Sequence, residues 1–124
     1  MLLATAVTGA AAITSINNNP TGRPQLLQAL DFALGPSREI VIAGDASDSG
    51  TERLVEAINS RFFPNQVVAL HPAEAGQRRA IEKLIPFTAP QLPLDGKPTA
   101  YLCQNYVCKF PVTEPSEFEK LLEA

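Results

Sequence analysis

Two hydrophobic periods alternate along this chain and predict an α/β protein. Apolar residues spaced three and four apart predict helices, whereas short apolar runs rich in β-branched residues predict buried strands. The predicted helices are Pro24–Leu34, Thr51–Phe62, Pro72–Ile85 and a last helix that starts near Thr113. The predicted strands between the first three helices are Glu39–Ala43 and Gln66–Leu70. A strand, a helix and a strand with short joints form a βαβ unit, so we expect these two strands to be parallel.

The end of the chain predicts a β-hairpin. Two β-prone runs, Thr99–Gln104 and Val107–Val112, flank Asn105-Tyr106. Asn at the first turn position tolerates the positive φ that a tight two-residue turn requires. Such a turn places Cys103 opposite Cys108. One face of the ribbon is then shared by Tyr101, Cys103, Cys108 and Phe110.

The composition suits one domain with its own core. The chain has 124 residues, of which 45% are hydrophobic, and a net charge of −3 with scattered basic residues. This charge favours neither a nucleic-acid nor a membrane partner. The 2 cysteines are too few for a disulfide scaffold. We expect a cytoplasmic protein without cofactors or metal ions.

The N-terminal residues differ in character from the rest. Residues 1–22 start with an apolar segment, Met1–Ile16, that no Lys or Arg precedes, so the charged region of a signal peptide is missing. Thr and Gly interrupt it, and it is too short to span a membrane. A helix and partial disorder both stay open for residues 1–22, and residues 23–124 are predicted to form the α/β domain.

From Arg38 onward, the predicted element order resembles the thioredoxin fold. The resemblance implies three layers, a mixed sheet with strand order 2-1-3-4, and a cis bond before Pro98, where thioredoxin-like proteins carry a cis-proline. The loop that would hold their Cys-x-x-Cys pair, residues 44–50, contains no cysteine. A redox role of the usual thioredoxin kind is therefore not expected.

Three phrases, at residues 29–45, 61–65 and 97–108, resemble one family more closely. They are similar to the C-terminal end of the thioredoxin-domain-containing proteins related to spermatogenesis-associated proteins. Larger members of that family carry an N-terminal thioredoxin-like domain and an (α/α) toroid similar to sugar epimerases. The resemblance implies an accessory domain, and no catalytic residue can be carried over to this chain.

Two groups of residues are candidate sites. Cys103 and Cys108 fit reduced structural thiols, a reversible disulfide, or half of a metal site shared with another chain. The loop with Gly44, Asp45, Ser47 and Ser49 matches a calcium loop only in degenerate form, and the simpler interpretation is that Ser49 caps the next helix. His71, the 1 histidine, is interpreted as an ordinary boundary residue.

These observations favour a non-catalytic accessory or interaction domain whose partner is protein, either the missing family domains or a second copy. The isolated chain is not expected to be an enzyme. The alternative is a thiol-disulfide redox or redox-sensing domain that uses Cys103 and Cys108. A third hypothesis is small-ligand binding at the Asp45 loop.

Overall fold

The computed structural model describes residues 14–124. The chain divides into two compact units, and the boundary in the sequence lies between Pro36 and Ser37. The first unit contains helical residues 14–18 and helix α1, Pro24–Leu34, whose bounds agree with the prediction. No α1 residue is buried, so the predicted apolar stripe is not a core face. Helix α1 belongs to the first unit, and the second unit runs from Ser37 to Ala124. The predictions for residues 1–13 lie outside the described part.

The second unit contains all the described strands and the remaining helices. In chain order its elements are β1 Arg38–Ala43, α2 Ser49–Asn59, β2 Gln66–His71, α3 Ala75–Leu84, a 3-10 turn Pro86–Thr88, β3 Thr99–Gln104, β4 Val107–Cys108 and α4 Pro115–Glu123. None of the helices within residues 14–124 has the length and apolar character needed to cross a bilayer.

The strands form one four-stranded mixed sheet in the order β2-β1-β3-β4. β1 pairs in parallel with β2 and antiparallel with β3, and Ile40 lies opposite Val68 on one side and Leu102 on the other. The strand order is the one that the fold resemblance implied, and the predicted parallel pairing of β1 and β2 is confirmed. β1 is central, whereas β2 lies at an edge, where Val67 and Val68 are nearly half exposed, so the prediction that β2 is buried on both faces was wrong.

The hydrophobic core lies on one face of the sheet, beneath α2 and α4. Ile40 and Ile42 of β1 meet the helix residues Leu54, Phe118 and Leu122, and all five are fully buried. Two arginine side chains bind residues near the C-terminal end of α4. Arg38 donates to the carbonyl of Leu122 at 2.8 Å, and Arg61 pairs with Glu123 at 2.8 Å.

The opposite face of the sheet is covered by the chain that follows β2. Val41 is buried there, and Tyr101 donates its hydroxyl to the carbonyl of Leu92 at 2.5 Å. Helix α3 has no buried residue, because it packs mainly on the 3-10 turn that follows it. The spacing of apolar residues predicts that Ala80, Ile81, Leu84 and Ile85 face inward. Ala80 and Leu84 are exposed, so this prediction was wrong for two of the four residues.

The hairpin forms in the predicted register and then departs from it. Asn105 and Tyr106 have φ values of +52° and +63°, as a tight two-residue turn requires. Lys109 still donates to Leu102, but Ala100 pairs with Val112 and not with Pro111. One extra residue is therefore inserted between these pairs, as in a β-bulge.

Phe110 lies at this bulge. It is 92% exposed, whereas Cys103, with which it was predicted to share one face of the ribbon, is 3% exposed. The cis bond that the fold resemblance implied before Pro98 is also absent, since every peptide bond in the described residues is trans.

Candidate functional site

The hairpin disulfide is the chemically distinctive group of this domain. Cys103 and Cys108 are directly opposed on β3 and β4, with their Cα atoms 3.9 Å apart, and they form a disulfide. Neither is therefore a reduced structural thiol or a metal ligand in this structure. Cys103 is 3% exposed, whereas Cys108 lies on the exposed edge strand. One sulfur of the pair thus belongs to the interior and the other to the surface.

A buried glutamine lies against the inner sulfur. The side-chain amide of Gln91 donates to Sγ of Cys103 at 3.7 Å, which is a weak hydrogen bond. The amide oxygen of Gln91 is buried and has no hydrogen-bond partner among the described residues. Such an orphan acceptor costs free energy unless another state of the site satisfies it.

His71, the last residue of β2, contacts the main chain of this glutamine. Its Nδ1 lies 2.6 Å from the carbonyl oxygen of Gln91, and its Nε2 lies 3.0 Å from Oε1 of Glu82. The imidazole is 1% exposed, so the prediction of an ordinary boundary residue was wrong. Both ring nitrogens of His71 therefore lie within hydrogen-bond distance of an oxygen atom.

A surface groove borders Cys108. It has a volume of about 460 Å³ and is lined by Cys108, Lys109, Phe110, Pro111, Val112 and Leu121. The lining is mostly apolar, and Lys109 is its one charged residue. A bound molecule in this groove would therefore lie next to Cys108.

Tyr101 lies on the same face of the sheet as Cys103. Partial burial raises the pKa of its phenol above the usual value of 10.0. Because the phenol stays protonated at neutral pH, its hydroxyl continues to donate to the Leu92 carbonyl. This bond ties the segment that carries Gln91 to β3.

Two residues of the predicted ligand loop make hydrogen bonds within the fold. The carboxylate of Asp45 accepts the backbone N–H of Ala73 at 3.0 Å, which ties the end of β1 to the end of β2. Asp48, and not Ser49, caps α2 by accepting from the N–H of Gly50 at 2.8 Å. The side chains of Ser47 and Ser49 are exposed.

Pro98 fills the corner next to this loop. A Cβ built on Gly44 would lie 3.2 Å from Cβ of Pro98, and one built on Gly50 would lie 3.0 Å from its Cγ. Across residues 14–124, no three His, Cys, Asp or Glu side chains are grouped in a way that could hold a metal ion.

A second groove lies between α2 and β2. It measures about 430 Å³, and its lining includes Thr51, Val55, Glu56 and Leu70. The Thr51 hydroxyl is buried and has no hydrogen-bond partner among the described residues, and it lies 2.6 Å from where a Cβ on Gly44 would stand.

The sequence identified the two cysteines but missed the groups that surround Cys103. Gln91 lies 12 residues before Cys103 in an irregular segment, and no periodic pattern marks it. His71 ends an edge strand, where exposure is the usual expectation. A signal for both was available only in the proline-rich composition of residues 86–98, which predicts a crossing segment without giving its path.

Comparison with known proteins finds relatives of one name. The chain is 33% identical to spermatogenesis-associated protein 20 of Homo sapiens, 29% to that of Rattus norvegicus and 28% to that of Mus musculus, each over 103 residues. The match covers 83% of this chain but 13% of each relative, so it supports the family resemblance for a small part of a longer protein. No family model matches the chain, and no solved structure matches it.

Proposed function

We propose that this chain is a non-catalytic accessory domain that binds the larger domains of a protein similar to spermatogenesis-associated protein 20. The sequence similarity supports this, because it spans 13% of the relatives and leaves most of their length to other domains. We place the domain at the C-terminal end of such a protein, in the cytoplasm.

The observation that carries the proposal is the apolar end of the hairpin. Tyr106, Val107 and Phe110 are 103%, 69% and 92% exposed, and they lie in or within two residues of β4, which forms one edge of the sheet. Aromatic residues are enriched in protein interfaces, and grouped exposed apolar side chains indicate a surface that a partner covers. We name Tyr106, Val107 and Phe110 the hairpin surface.

The architecture supports a thioredoxin-like domain without the usual redox corner. The mixed sheet has the order expected for that fold, and its central parallel pair is joined by α2. The corner between β1 and α2 contains no cysteine, and Pro98 packs against Gly44 and Gly50 there. A scaffold of this kind presents surfaces and not a reacting group at that corner.

Binding to the rest of the relative tests the proposal. The full chain is titrated by calorimetry into the part of human spermatogenesis-associated protein 20 that lies outside the matched segment. We expect association, and we expect Phe110→Ser to weaken it by about tenfold or more, since removal of a central aromatic anchor costs on the order of 2 kcal/mol.

Phe62→Ser is the matched control. Phe62 is 89% exposed, but it lies in the loop before β2, at the opposite edge of the sheet from the hairpin. We expect its substitution to leave the affinity unchanged. No association of the wild-type chain, or equal losses for the two phenylalanine variants, would contradict the proposal.

A further inference from the structure

We infer that the Cys103–Cys108 disulfide is a thiol-disulfide exchange site, at which a dithiol attacks Sγ of Cys108 and Cys103 is the leaving group. The inference does not depend on the accessory role, because it concerns the disulfide and the groups around it. It also differs from exchange at a helix N-terminus, since both cysteines lie on strands.

Unequal access to the two sulfurs determines which one is attacked. An attacking thiolate must approach the sulfur along the S–S axis, and exchange depends on access to that sulfur. Cys103 is 3% exposed and closed in by Gln91, whereas Cys108 is exposed and lines the 460 Å³ groove. Attack is therefore directed to Cys108.

The side-chain amide of Gln91 is positioned to stabilise the leaving thiolate. As the S–S bond breaks, negative charge develops on Sγ of Cys103, and the side-chain N–H of Gln91 already points at that atom. A donor placed where charge develops stabilises the leaving group. Once protonated, the Cys103 thiol is itself a donor, and the buried amide oxygen of Gln91 is an acceptor without a partner beside it.

His71 acts as a positioning residue in this arrangement. Its Nδ1 contacts the main-chain carbonyl of Gln91 at 2.6 Å and its Nε2 contacts Glu82, so it fixes the residue that carries the donor. The hydroxyl of Tyr101 holds the next carbonyl, that of Leu92, in the same way.

The groove indicates the class of substrate. Phe110, Pro111, Val112 and Leu121 offer an apolar wall, and Lys109 offers a positive charge that favours an incoming thiolate. The fitting substrate is a dithiol in a protein or peptide whose attacking cysteine has apolar neighbours.

The reaction balances without another reagent. The substrate thiolate forms a bond to Sγ of Cys108, the Cys103–Cys108 bond breaks, and its electron pair goes to Cys103. The second substrate thiol then attacks the mixed disulfide and releases Cys108 as a thiolate. The substrate is oxidised to a disulfide, the chain gains two electrons, and the two substrate protons end on Cys103 and Cys108.

Single-cysteine variants of the full chain test which sulfur is attacked. Cys103→Ser leaves Cys108 as the only thiol, and Cys108→Ser leaves Cys103. With dithionitrobenzoate as the probe, we expect the Cys108 thiol to react at least about tenfold faster, because exposure controls the reaction. Equal rates, or faster reaction of Cys103, would overturn the assignment.

Reduction of the wild-type disulfide by dithiothreitol tests the exchange itself. We expect reduction while the far-ultraviolet dichroism stays that of the folded chain. Gln91→Leu should slow it by about tenfold, since the leaving thiolate loses its donor. Gln77→Leu, on the exposed side of α3, is the control and should not slow it. Reduction that proceeds only as the chain unfolds, or an unchanged rate in Gln91→Leu, would refute the inference.

Discussion

Glu74 stabilises the start of α3 through its carboxylate. That group accepts the backbone N–H of Gly76 at 2.8 Å and that of Gln77 at 2.7 Å. These bonds, the one from Gln77 first, lower the pKa of the Glu74 carboxyl below its usual value of 4.5. A carboxylate at a helix N-terminus also lies favourably in the helix dipole.

The depressed pKa gives a prediction with a definite sign. The stabilisation is fully present above pH 4.5 and is lost as the pH falls through the lower pKa of the folded state. We expect the amide proton shifts of Gly76 and Gln77, followed by NMR, to titrate with a midpoint below 4.5, and Glu74→Gln to abolish that step.

Glu117→Gln is the control for this titration, because Glu117 is an exposed residue in the first turn of another helix, α4. Its substitution should leave the two shift curves unchanged. A midpoint at or above 4.5 in the wild-type chain would show that the two hydrogen bonds do not stabilise the carboxylate.

The residues around the disulfide show why a sequence predicts some side chains and not others. Cys103 and Cys108 face each other because a two-residue turn fixes the register, and that turn is local. Gln91 and His71 meet because an irregular segment crosses the sheet, and its path depends on tertiary packing. Local chemistry could be predicted, whereas long-range polar contacts could not.

Helix α4 closes the core at the level of whole elements. Phe118 is 0% exposed, and it lies with Ile40, Ile42 and Leu54 in the core cluster. We expect Phe118→Ala to lower the free energy of unfolding by about 3–5 kcal/mol, because the substitution loses buried apolar surface and leaves a cavity. Urea unfolding followed by circular dichroism measures the change.

Phe110→Ala is the matched control for that measurement. The same side chain is removed from a position that is 92% exposed, so its effect should stay within about 0.5 kcal/mol. Equal losses in the free energy of unfolding at the two positions would contradict the placement of α4 in the core.

The elements themselves were predicted well where they bury an apolar face. β1, β3 and α4 agree with their predicted positions to within about a residue or two, because buried positions produce a clear period. The errors fall on α3, whose apolar residues do not face the core, and on the strand after the turn. There a bulge follows Lys109, and Phe110 is exposed.

The domain as a whole has two sheet edges with different exposed surfaces. β2 forms one edge and exposes valines, whereas β4 forms the other and carries both the hairpin surface and Cys108. The parallel pairing of β1 and β2 was predictable from the order of elements, since a βαβ unit with short connections leaves few topologies. The full strand order came from the fold resemblance.

The proposed cellular location affects how the disulfide is interpreted. Disulfides in reducing compartments are usually transient and serve catalysis or sensing, whereas structural ones belong to oxidising compartments. If the domain occupies the cytoplasm as proposed, an accessible disulfide agrees with the inferred exchange site. Docking at Phe110 and exchange at Cys108 would then use adjacent parts of one edge.

Hydrogen exchange of the backbone amides, read by mass spectrometry, tests the accessory role most directly. The full chain is compared alone and with the part of human spermatogenesis-associated protein 20 that lies outside the matched segment. We predict exchange about tenfold slower or more across residues 105–112 in the mixture, as expected when a partner covers an exposed edge. Unchanged exchange there, or protection confined to residues 60–65 at the opposite edge, would contradict the proposed docking of the hairpin surface.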